Sequence, residues 1–238
     1  MSLALVLAVL ILVLCSQNAL AGPVYDVTGE GCKNRLLATF DVDFTVEYED
    51  QNDKKLTKKF KNVTSVDHAG NCQADTNATL TVFFKPEKAV KNWTLNLMVV
   101  NGSYSKKINV FYTQSVSLSY HVEKSVFGDC KEEEITKIAD KLEEFSSDFD
   151  SNFRCNSEKE LRLGSKAETK VFMHNLKIEL MPKERTDFSK KETLCTADVP
   201  TDNTIPIAVG VALIVCIVVA LVVFIIFNRR NRRRFTSV

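Results

Sequence analysis

The chain has 238 residues, with 31 Lys or Arg and 30 Asp or Glu, for a formal net charge of +1. Five arginines lie in the last 11 residues, so the remainder carries 26 basic and 30 acidic residues, a net charge of −4. This balance excludes the basic surface of a nucleic-acid-binding protein. No Gly-x-Ser-x-Gly, His-Glu-x-x-His or Cys-x-x-Cys motif occurs, and the three histidines are scattered. We therefore expect no catalytic residues, no metal or other cofactor, and no enzyme.

The N-terminus has the pattern of a secretory signal peptide. Leu3–Leu14 is an uninterrupted apolar run that is too short to span a bilayer comfortably. Ala19-Leu20-Ala21 follows as a small-residue cleavage pattern, so we predict a signal peptide over residues 1–21. No Lys or Arg precedes the apolar run, which leaves an uncleaved anchor as the alternative.

A second apolar segment lies near the C-terminus. Ile205–Phe227 contains 23 residues and no charge, a length of about 34 Å as a helix, which suffices for a hydrocarbon core of about 30 Å. We predict a transmembrane helix over residues 204–227 and a tail over residues 228–238. The tail begins with a membrane-stop basic cluster that contacts membrane lipid, Arg229, Arg230, Arg232, Arg233 and Arg234. The positive-inside rule places this tail in the cytosol and the N-terminus in the lumen.

Residues 22–203 are then one lumenal domain, large enough for a hydrophobic core. The domain contains four Asn-x-Ser/Thr acceptors for N-glycosylation, at Asn62, Asn77, Asn92 and Asn101. Behind a signal peptide, four sequons this close together predict a glycoprotein with these residues on its surface. All four lie in the N-terminal half, so we expect the C-terminal half to be the barer surface for a protein partner.

Period-2 alternation of apolar and polar residues dominates the domain. The clearest strand runs from Phe40 to Tyr48, with apolar residues at every second position. Similar alternation occurs at Leu80–Phe84, Leu95–Val99, Ile108–Tyr112, Val116–Val122 and Leu176–Leu180. The polar segment Asp67–Asn71 has the composition of a turn. We predict a mainly β fold, an antiparallel sandwich-like or prism-like domain.

One segment has helical spacing instead. In Glu132–Phe145, apolar residues recur at i, i+3, i+7 and i+10 after an acidic first turn. We predict one short amphipathic helix here that packs on the sheets, with a partner-binding helix as the alternative.

Five cysteines lie in the lumenal part, at positions 32, 72, 130, 155 and 195. In an oxidising compartment we expect pairing. The first two and the last two have equal separations, which favours two sequential loops, although spacing alone does not fix connectivity. Cys130 is then unpaired, and it is either a buried free thiol or a bridge between two chains.

Several motifs together resemble the lysosome-associated membrane protein (LAMP) family. In the N-terminal part they are the segment ending at Cys32 (YDVTGEGC) and the Ala-Gly-Asn-Cys ending at Cys72. In the C-terminal part they are Phe-Arg-Cys-Asn-Ser-Glu around Cys155, Glu-Thr-Leu-Cys ending at Cys195, and Ile-Pro-Ile-Ala-Val-Gly from Ile205. The 11-residue tail also has the family's length. With one domain and no Pro/Ser/Thr-rich hinge, the chain resembles single-domain members.

The resemblance implies a β-prism fold and the disulfides Cys32–Cys72 and Cys155–Cys195. It also implies residence in late endosome and lysosome membranes, as a glycosylated coat on the lumenal face. Cys130 departs from the family's pattern of four domain cysteines.

The end of the tail is a second departure. Family tails commonly end in Gly-Tyr-x-x-apolar, which clathrin adaptors read, whereas this chain ends in Phe235-Thr236-Ser237-Val238 after Arg234. Phe235 keeps the ring and Val238 the apolar anchor, but the hydroxyl is lost, and a site built to bind a hydroxyl rejects its absence. Thr236-x-Val238 also fits a PDZ-type groove at a free C-terminus. A clathrin adaptor, a PDZ-type protein and an unread terminus are therefore the three alternatives.

Two functions are compatible with the sequence. The first is a structural glycoprotein of late endosomes and lysosomes, with a further presence at the plasma membrane. The second is a trafficking or adhesion partner that binds another membrane protein through its ectodomain, at the cell surface or on vesicles.

Overall fold

The computed structural model describes residues 22–29, 32–73, 76–102, 109–165, 168–199 and 213–225. The chain divides into two compact units, Met1–Asp198 and Val199–Val238. The described part of the first unit contains thirteen strands and one short helix. In the second unit, residues 213–225 are helical.

The first sheet combines strands from both ends of the domain. Its seven strands are β1 (Val24–Val27), β2 (Asn34–Glu49), β3 (Lys55–Phe60), β10 (Asn152–Cys155), β11 (Lys159–Leu163), β12 (Thr169–Pro182) and β13 (Glu192–Leu194). The order is β1-β2-β12-β10-β13, with β3 beside the second half of β2 and β11 beside the start of β12. All pairs are antiparallel except the parallel pair β10–β13.

The second sheet is formed by the middle of the chain. Its six strands are β4 (Ser65–Gln73), β5 (Asn77–Phe84), β6 (Trp93–Asn101), β7 (Val110–Val122), β8 (Glu133–Ala139) and β9 (Glu144–Asp148). They follow chain order from β4 to β8 in an antiparallel meander, and β9 also pairs with β7. Helix α1 (Lys124–Phe127) connects β7 to β8.

The core lies between the inner faces of the two sheets, where every second residue of the long strands is buried. Its largest side chain is the single tryptophan, Trp93, which has no exposed surface. The rings of Phe60, Tyr120, Phe44 and Phe127 surround it at centroid distances of 4.8, 5.5, 6.0 and 6.3 Å. Because aromatic side chains bury large areas, this cluster contributes strongly to the stability of the domain.

The predicted mainly β fold with antiparallel pairing is confirmed in its main features, and the parallel pair makes the first sheet mixed. The alternating segments Phe40–Tyr48, Leu80–Phe84, Leu95–Val99 and Leu176–Leu180 all lie in strands. The two predicted strands Ile108–Tyr112 and Val116–Val122 belong to a single strand, β7, which begins at Val110. Ile108 lies outside the described residues.

The turn predicted at Asp67–Asn71 is wrong, because these residues lie inside β4. Gly70 serves close packing here. A Cβ at Gly70 would lie 2.2 Å from Val27 Cγ1, so only glycine allows β1 of the first sheet to approach β4 of the second this closely.

The amphipathic helix predicted over Glu132–Phe145 is also wrong, because the segment forms β8 and the start of β9. β8 pairs with β7 over seven residues. In this strand Ile135 is half-buried, whereas Ile138, which helical spacing placed on the buried face, is 48% exposed. Pairing with β7 satisfies the backbone of the segment and overrides the helical propensity of its Glu, Lys and Ala residues. The short helix of the domain is α1, whose Val126 and Phe127 are buried.

The predicted transmembrane helix extends beyond the described residues on both sides. Helical residues 213–225 lie within it, and all of them are exposed. Among the residues that the structure describes, no helix has both the length and the apolar character needed to cross a membrane.

Candidate interaction surfaces and modification sites

Two disulfides stabilise the domain. Cys32 and Cys72 are bonded, with a Cα–Cα distance of 5.4 Å, and tie the chain just before β2 in the first sheet to β4 in the second. Cys155 and Cys195 are bonded, with a Cα–Cα distance of 5.1 Å, and tie the end of β10 to the residue after β13. These are the two pairs that the family resemblance implies. Loops of this length contribute on the order of 4 kcal/mol each in the chain-entropy view.

The C-terminal disulfide lies beside a carboxylate. Asp198 accepts hydrogen bonds from the backbone N–H groups of Asn156 and Ser157 and from the Ser157 hydroxyl. The donor atoms of Cys155, Cys195 and Asp198 lie within 4.8 Å of one another, a spacing that metal sites also show. Both sulfurs are held in the disulfide, however, and a cysteine binds a metal only as a free thiolate. The hydrogen bonds to Asp198 therefore stabilise the segment around the disulfide.

Cys130 is the unpaired cysteine of the domain. It is 1% exposed and contacts the core just before β8. Burial raises the pKa of its thiol, which lowers the fraction of reactive thiolate at neutral pH. These features favour the buried-thiol alternative over a bridge between chains, which would require the thiol to reach the surface.

The four sequons lie at the margins of the sheets. Asn62, between β3 and β4, and Asn92, just before β6, are exposed. The Asn62 N–H donates to Asp43 Oδ1 at 2.6 Å, which fixes that loop. Asn77 is the first residue of β5 and Asn101 the last of β6, and both are half-buried. Glycosylation at these asparagines stays a prediction.

The outer face of the first sheet is densely charged. Glu192 on β13 lies 3.0 Å from both Arg154 on β10 and Lys177 on β12. Glu160 on β11 lies 2.6 Å from Arg162 and 3.0 Å from Lys170. Ion pairs of this kind therefore connect neighbouring strands across the sheet.

Several of these carboxyl groups have lowered pKa values. Hydrogen bonds from Lys170 and Arg162 lower the pKa of Glu160. Partial burial raises the pKa of Glu192, but the hydrogen bonds from Lys177 and Arg154 outweigh it, so the pKa lies below its ordinary value. Because folded pKa values below the unfolded ones favour the charged form, these carboxylates stay ionised in mildly acidic surroundings.

The outer face of the second sheet carries no charge across its central strands. One row of cross-strand neighbours is Thr81, Asn96, Ser117 and Ile138. Thr81 donates to Asn96 Oδ1 at 2.6 Å, and Asn96 donates to Ser117 Oγ at 3.3 Å. The adjacent row contains Phe83, Thr94, Ser119 and Thr136.

The contrast between the two outer faces was not predicted from the sequence, although its signal is present there. The polar positions of β5, β6 and β7 are mainly Thr, Asn and Ser, as in NATLTVFF, with Gln114 and His121 on β7 as the exceptions. Those of β2 and β12 are mainly Asp, Glu, Lys and His, as in DVDFTVEYE. The alternation of apolar and polar residues thus predicts which side chains point outward. Whether those polar side chains are charged or uncharged then distinguishes the outer face of the first sheet from that of the second.

One cleft in the first sheet contains a histidine beside two carboxyl groups. This cleft, of about 830 Å³, lies between β2, β12 and the β3–β4 connection. In it, His174 Nε2 lies 3.6 Å from Asp43 Oδ2 and 3.8 Å from Glu158 Oε2. The other histidines, His68 on β4 and His121 on β7, lie on the second sheet. The described residues therefore do not bring the three histidines together.

The predicted tail signals lie outside the described residues. These are Phe235, Thr236 and Val238, which are predicted as a sorting or PDZ-type signal, and the membrane-stop arginine cluster within residues 229–234. They remain predictions from the sequence.

Comparison with known proteins identifies the domain. Residues 17–195 match the lumenal domains of the lysosome-associated membrane glycoprotein 2-like family. Comparison with curated protein sequences gives no match.

Three solved structures have a similar fold. The membrane-proximal domain of mouse lysosome-associated membrane protein 1 is 20% identical, with a TM-score of 0.57 over 74% of this chain and 96% of that one. The membrane-distal domain of mouse lysosome-associated membrane protein 2 is 19% identical, with a TM-score of 0.53 over 73% and 99%. The human lysosome-associated membrane protein LAMP-3 is 16% identical, with a TM-score of 0.52 over 74% and 99%. On the match over residues 17–195, the chain belongs to the lysosome-associated membrane glycoprotein family.

Proposed function

We propose that this protein is a type I membrane glycoprotein of late endosomes and lysosomes, with a structural and trafficking role and no enzymatic activity. The observation that carries the proposal is the family match over residues 17–195, which includes all four disulfide cysteines. The lumenal domain forms a glycosylated coat that keeps hydrolases away from the bilayer.

The sequence supports the topology. A signal peptide over residues 1–21 delivers residues 22–203 to the lumen. The uncharged segment Ile205–Phe227 and the arginines that follow it stop transfer. The helical residues 213–225 lie within that segment.

The electrostatics of the first sheet suit an acidic lumen. Glu160, Glu192 and Asp198 all have lowered pKa values. A carboxylate with a lowered folded pKa contributes stability above its unfolded pKa, about 4, and loses that contribution only as the pH falls through the folded value. The ion pairs therefore persist at mildly acidic pH. Together with two disulfides, they favour a domain that resists unfolding and hence proteolysis.

A trafficking or adhesion partner of another membrane protein is the second candidate. It is favoured by the departure of Phe235–Val238 from the family's Gly-Tyr-x-x-apolar tail, which weakens the expected link to clathrin adaptors. It is also favoured by the uncharged outer face of the central strands β5, β6 and β7, since a charge-depleted surface costs less to desolvate against another protein. A partner at the tail would be a clathrin adaptor or a PDZ-type protein.

Localisation separates the two candidates. A full-length chain with a tag inserted after Gly22, and with its C-terminus intact, should colocalise with acidic organelles at steady state. A signal confined to the plasma membrane or to secretory vesicles would overturn the lysosomal proposal and support the second candidate.

The Phe235→Tyr variant tests whether the terminus is read. Restoring the hydroxyl should increase the lysosomal fraction if an adaptor reads this position. Val238→Ala is the complementary loss variant, because it removes the apolar anchor that both an adaptor and a PDZ-type groove require. If neither change moves the chain, the terminus is not a sorting signal.

A further inference from the structure

His174 lies where a bulge interrupts β12. It is the cross-strand neighbour of Asp41 on β2, and the register shifts between His174 and Lys177. Asn175 in this bulge has a positive φ of 51° and donates from Nδ2 to Asp41 Oδ2 at 2.9 Å. Bulges often re-aim side chains beside functional sites. Here the bulge gives the Asp41 carboxyl group a partner other than the imidazole.

Two other carboxyl groups face one nitrogen of the ring. His174 Nε2 lies 3.6 Å from Asp43 Oδ2 and 3.8 Å from Glu158 Oε2, and both distances are too long for a hydrogen bond. This nitrogen is buried and has no hydrogen-bond partner within the described protein, although the side chain as a whole is 27% exposed. A deprotonated Nε2 directs its lone pair toward negative charge, whereas a protonated Nε2 has two acceptors nearby. The site therefore suits the imidazolium form.

Carboxyl groups outnumber amines around the ring. The charged and titratable groups that line its cleft or the adjoining cavity come from β1, β2, β3 and the connections after β3 and before β11, and they are Tyr25, Asp41, Asp43, Lys59, Lys61 and Glu158. Glu160 on the neighbouring strand β11 is already paired with Arg162 and Lys170. Three carboxyl groups thus oppose two amines, and a positive imidazolium would neutralise this excess of negative charge.

The two carboxyl groups at Nε2 belong to different parts of the domain. Asp43 is on β2, and its Oδ1 accepts the Asn62 N–H of the β3–β4 connection at 2.6 Å. Glu158 is in the β10–β11 connection, where the N–H of the preceding Ser157 donates to Asp198 Oδ1 at 3.1 Å. The Glu158 side chain is 57% exposed, so it has room to turn toward the ring. A proton on Nε2 can therefore connect β12 to both of these segments.

We propose that His174 is a pH-dependent clasp that takes up a proton in an acidic lumen and then binds Asp43 and Glu158. Histidine is the side chain that ordinarily changes charge between about pH 5 and pH 8. The protonated ring donates from Nε2 to Asp43, and Glu158 moves toward it, so that the separations shorten toward the length of a charge-assisted hydrogen bond, about 2.8 Å. The inference rests on the proposed residence in acidic organelles, and it adds a stabilising contact that forms there and opens at neutral pH.

The test measures the stability of the purified full-length chain in detergent at about pH 5 and about pH 7.5, on either side of histidine titration. Chemical unfolding followed by the fluorescence of the buried Trp93 gives the unfolding equilibrium constant of each variant. His174→Gln keeps a polar side chain that is neutral at both pH values. His121→Gln is the matched control, because His121 is also half-buried but has a single carboxyl neighbour, Glu134, which is 61% exposed and lies 3.9 Å from Nδ1. An exposed pair of this kind contributes little to stability.

We expect His174→Gln to raise the unfolding equilibrium constant by a factor that is several-fold larger at pH 5 than at pH 7.5. The reason is that the clasp stabilises the folded chain only while the imidazole is protonated, and this contribution is lost as the pH rises. His121→Gln should act by a similar factor at both pH values. When Glu158→Gln is present as well, the pH-dependent effect of His174→Gln should shrink. This double variant separates the clasp from a packing defect, because a packing defect does not depend on the charge of Glu158.

Three results overturn the proposal: an effect of His174→Gln that is equal at the two pH values, an equal pH-dependent effect in the control, or an effect that Glu158→Gln leaves unchanged. Residence outside acidic organelles would refute the proposed function and leave the clasp intact, because the measurement uses the purified chain. A lysosomal chain without this pH dependence would refute the clasp alone.

Discussion

Replacing Gly70 with alanine tests how closely the two sheets approach each other. The added Cβ would lie 2.2, 2.4 and 2.7 Å from Cγ1, Cγ2 and Cβ of Val27. Val27 is 2% exposed and β-branched, so rotation about χ1 cannot clear a contact to its Cβ. The backbone of β1 or β4 must therefore move.

The expected cost follows from this geometry. Overpacking a buried contact costs about 1–3 kcal/mol, and the smaller entropy loss of alanine on folding offsets about 0.5–1 kcal/mol of it. For a domain of this size each kcal/mol changes the melting temperature by about 2–4 °C. Because all three contacts to Val27 are shorter than 3.0 Å, the cost lies at the upper end, with a net loss of about 2–2.5 kcal/mol. We therefore expect Gly70→Ala to lower the melting temperature by about 4–10 °C.

Trp93 provides the assay. It is the only tryptophan and has no exposed surface, so its fluorescence reports unfolding of the domain in the purified full-length chain in detergent. Val27→Ala is the matched partner in a double-mutant cycle. Alone it removes two buried methyl groups, at about 0.8 kcal/mol each, but with Gly70→Ala it removes the two shortest contacts, at 2.2 and 2.4 Å, and leaves only the contact between the two Cβ atoms at 2.7 Å. The double variant should therefore be more stable than the sum of the single changes by about 1 kcal/mol or more.

Two results would refute this reasoning. One is a Gly70→Ala chain as stable as the wild type, which would mean that the sheets separate at no cost. The other is strict additivity in the cycle, which would mean that the Cβ of residue 70 does not meet Val27.

Three further predictions concern single side chains. The Tyr120 hydroxyl donates a hydrogen bond to the Glu47 carbonyl at 2.5 Å. Tyr120→Phe removes this bond and should lower the free energy of unfolding of the domain by about 0.5–1.5 kcal/mol. Burial raises the pKa of Tyr120 to about 12. Its contribution to the free energy of unfolding is therefore complete below the ordinary tyrosine pKa and is lost as the pH rises through the folded pKa. The stability of the Tyr120→Phe variant should fall less steeply with pH in alkaline solution than that of the wild type, and an equal pH dependence would contradict this. Glu192→Gln should destabilise the domain at pH 5 to 7, and the difference should begin to shrink below the unfolded pKa of about 4 and disappear as the pH falls through the lowered folded pKa; an equal difference at all pH values in acid unfolding would show that charge is not involved. Cys130→Ser should leave the monomer band on non-reducing gels unchanged, and native wild-type chain should react slowly with a maleimide at this position until it unfolds; a wild-type dimer band that the variant lacks would establish a bridge.

The predicted strands show where local pattern was sufficient. Phe40–Tyr48 has one face apolar and one polar, and a strand with this pattern can bury its apolar residues only on one side of a sheet. The cysteine motifs likewise identified both disulfides through the family resemblance. Where alternation was long and regular, the structure agrees.

Glu132–Phe145 shows where local pattern failed. Its apolar spacing is helical and its residues favour helix, yet β7 offers a partner for seven residues of backbone. The availability of an unpaired strand is a property of the assembled sheet and cannot be read from the segment itself. Asp67–Asn71 was misread for a similar reason, since its glycine reflects contact with Val27, some forty residues earlier in the chain.

The sequence by itself determined the two apolar segments, the sequons, the cysteines and the β character of the domain, because each depends on composition or short-range periodicity. Only the tertiary structure decided which strands became edges. It joined both ends of the domain in one charged sheet and left the middle of the chain to form the other. That arrangement places the predicted glycosylation site Asn77 at the start of β5, between β4 and β6. Relations of this kind arise from pairing between distant segments, because a strand's exposure depends on its neighbours in space.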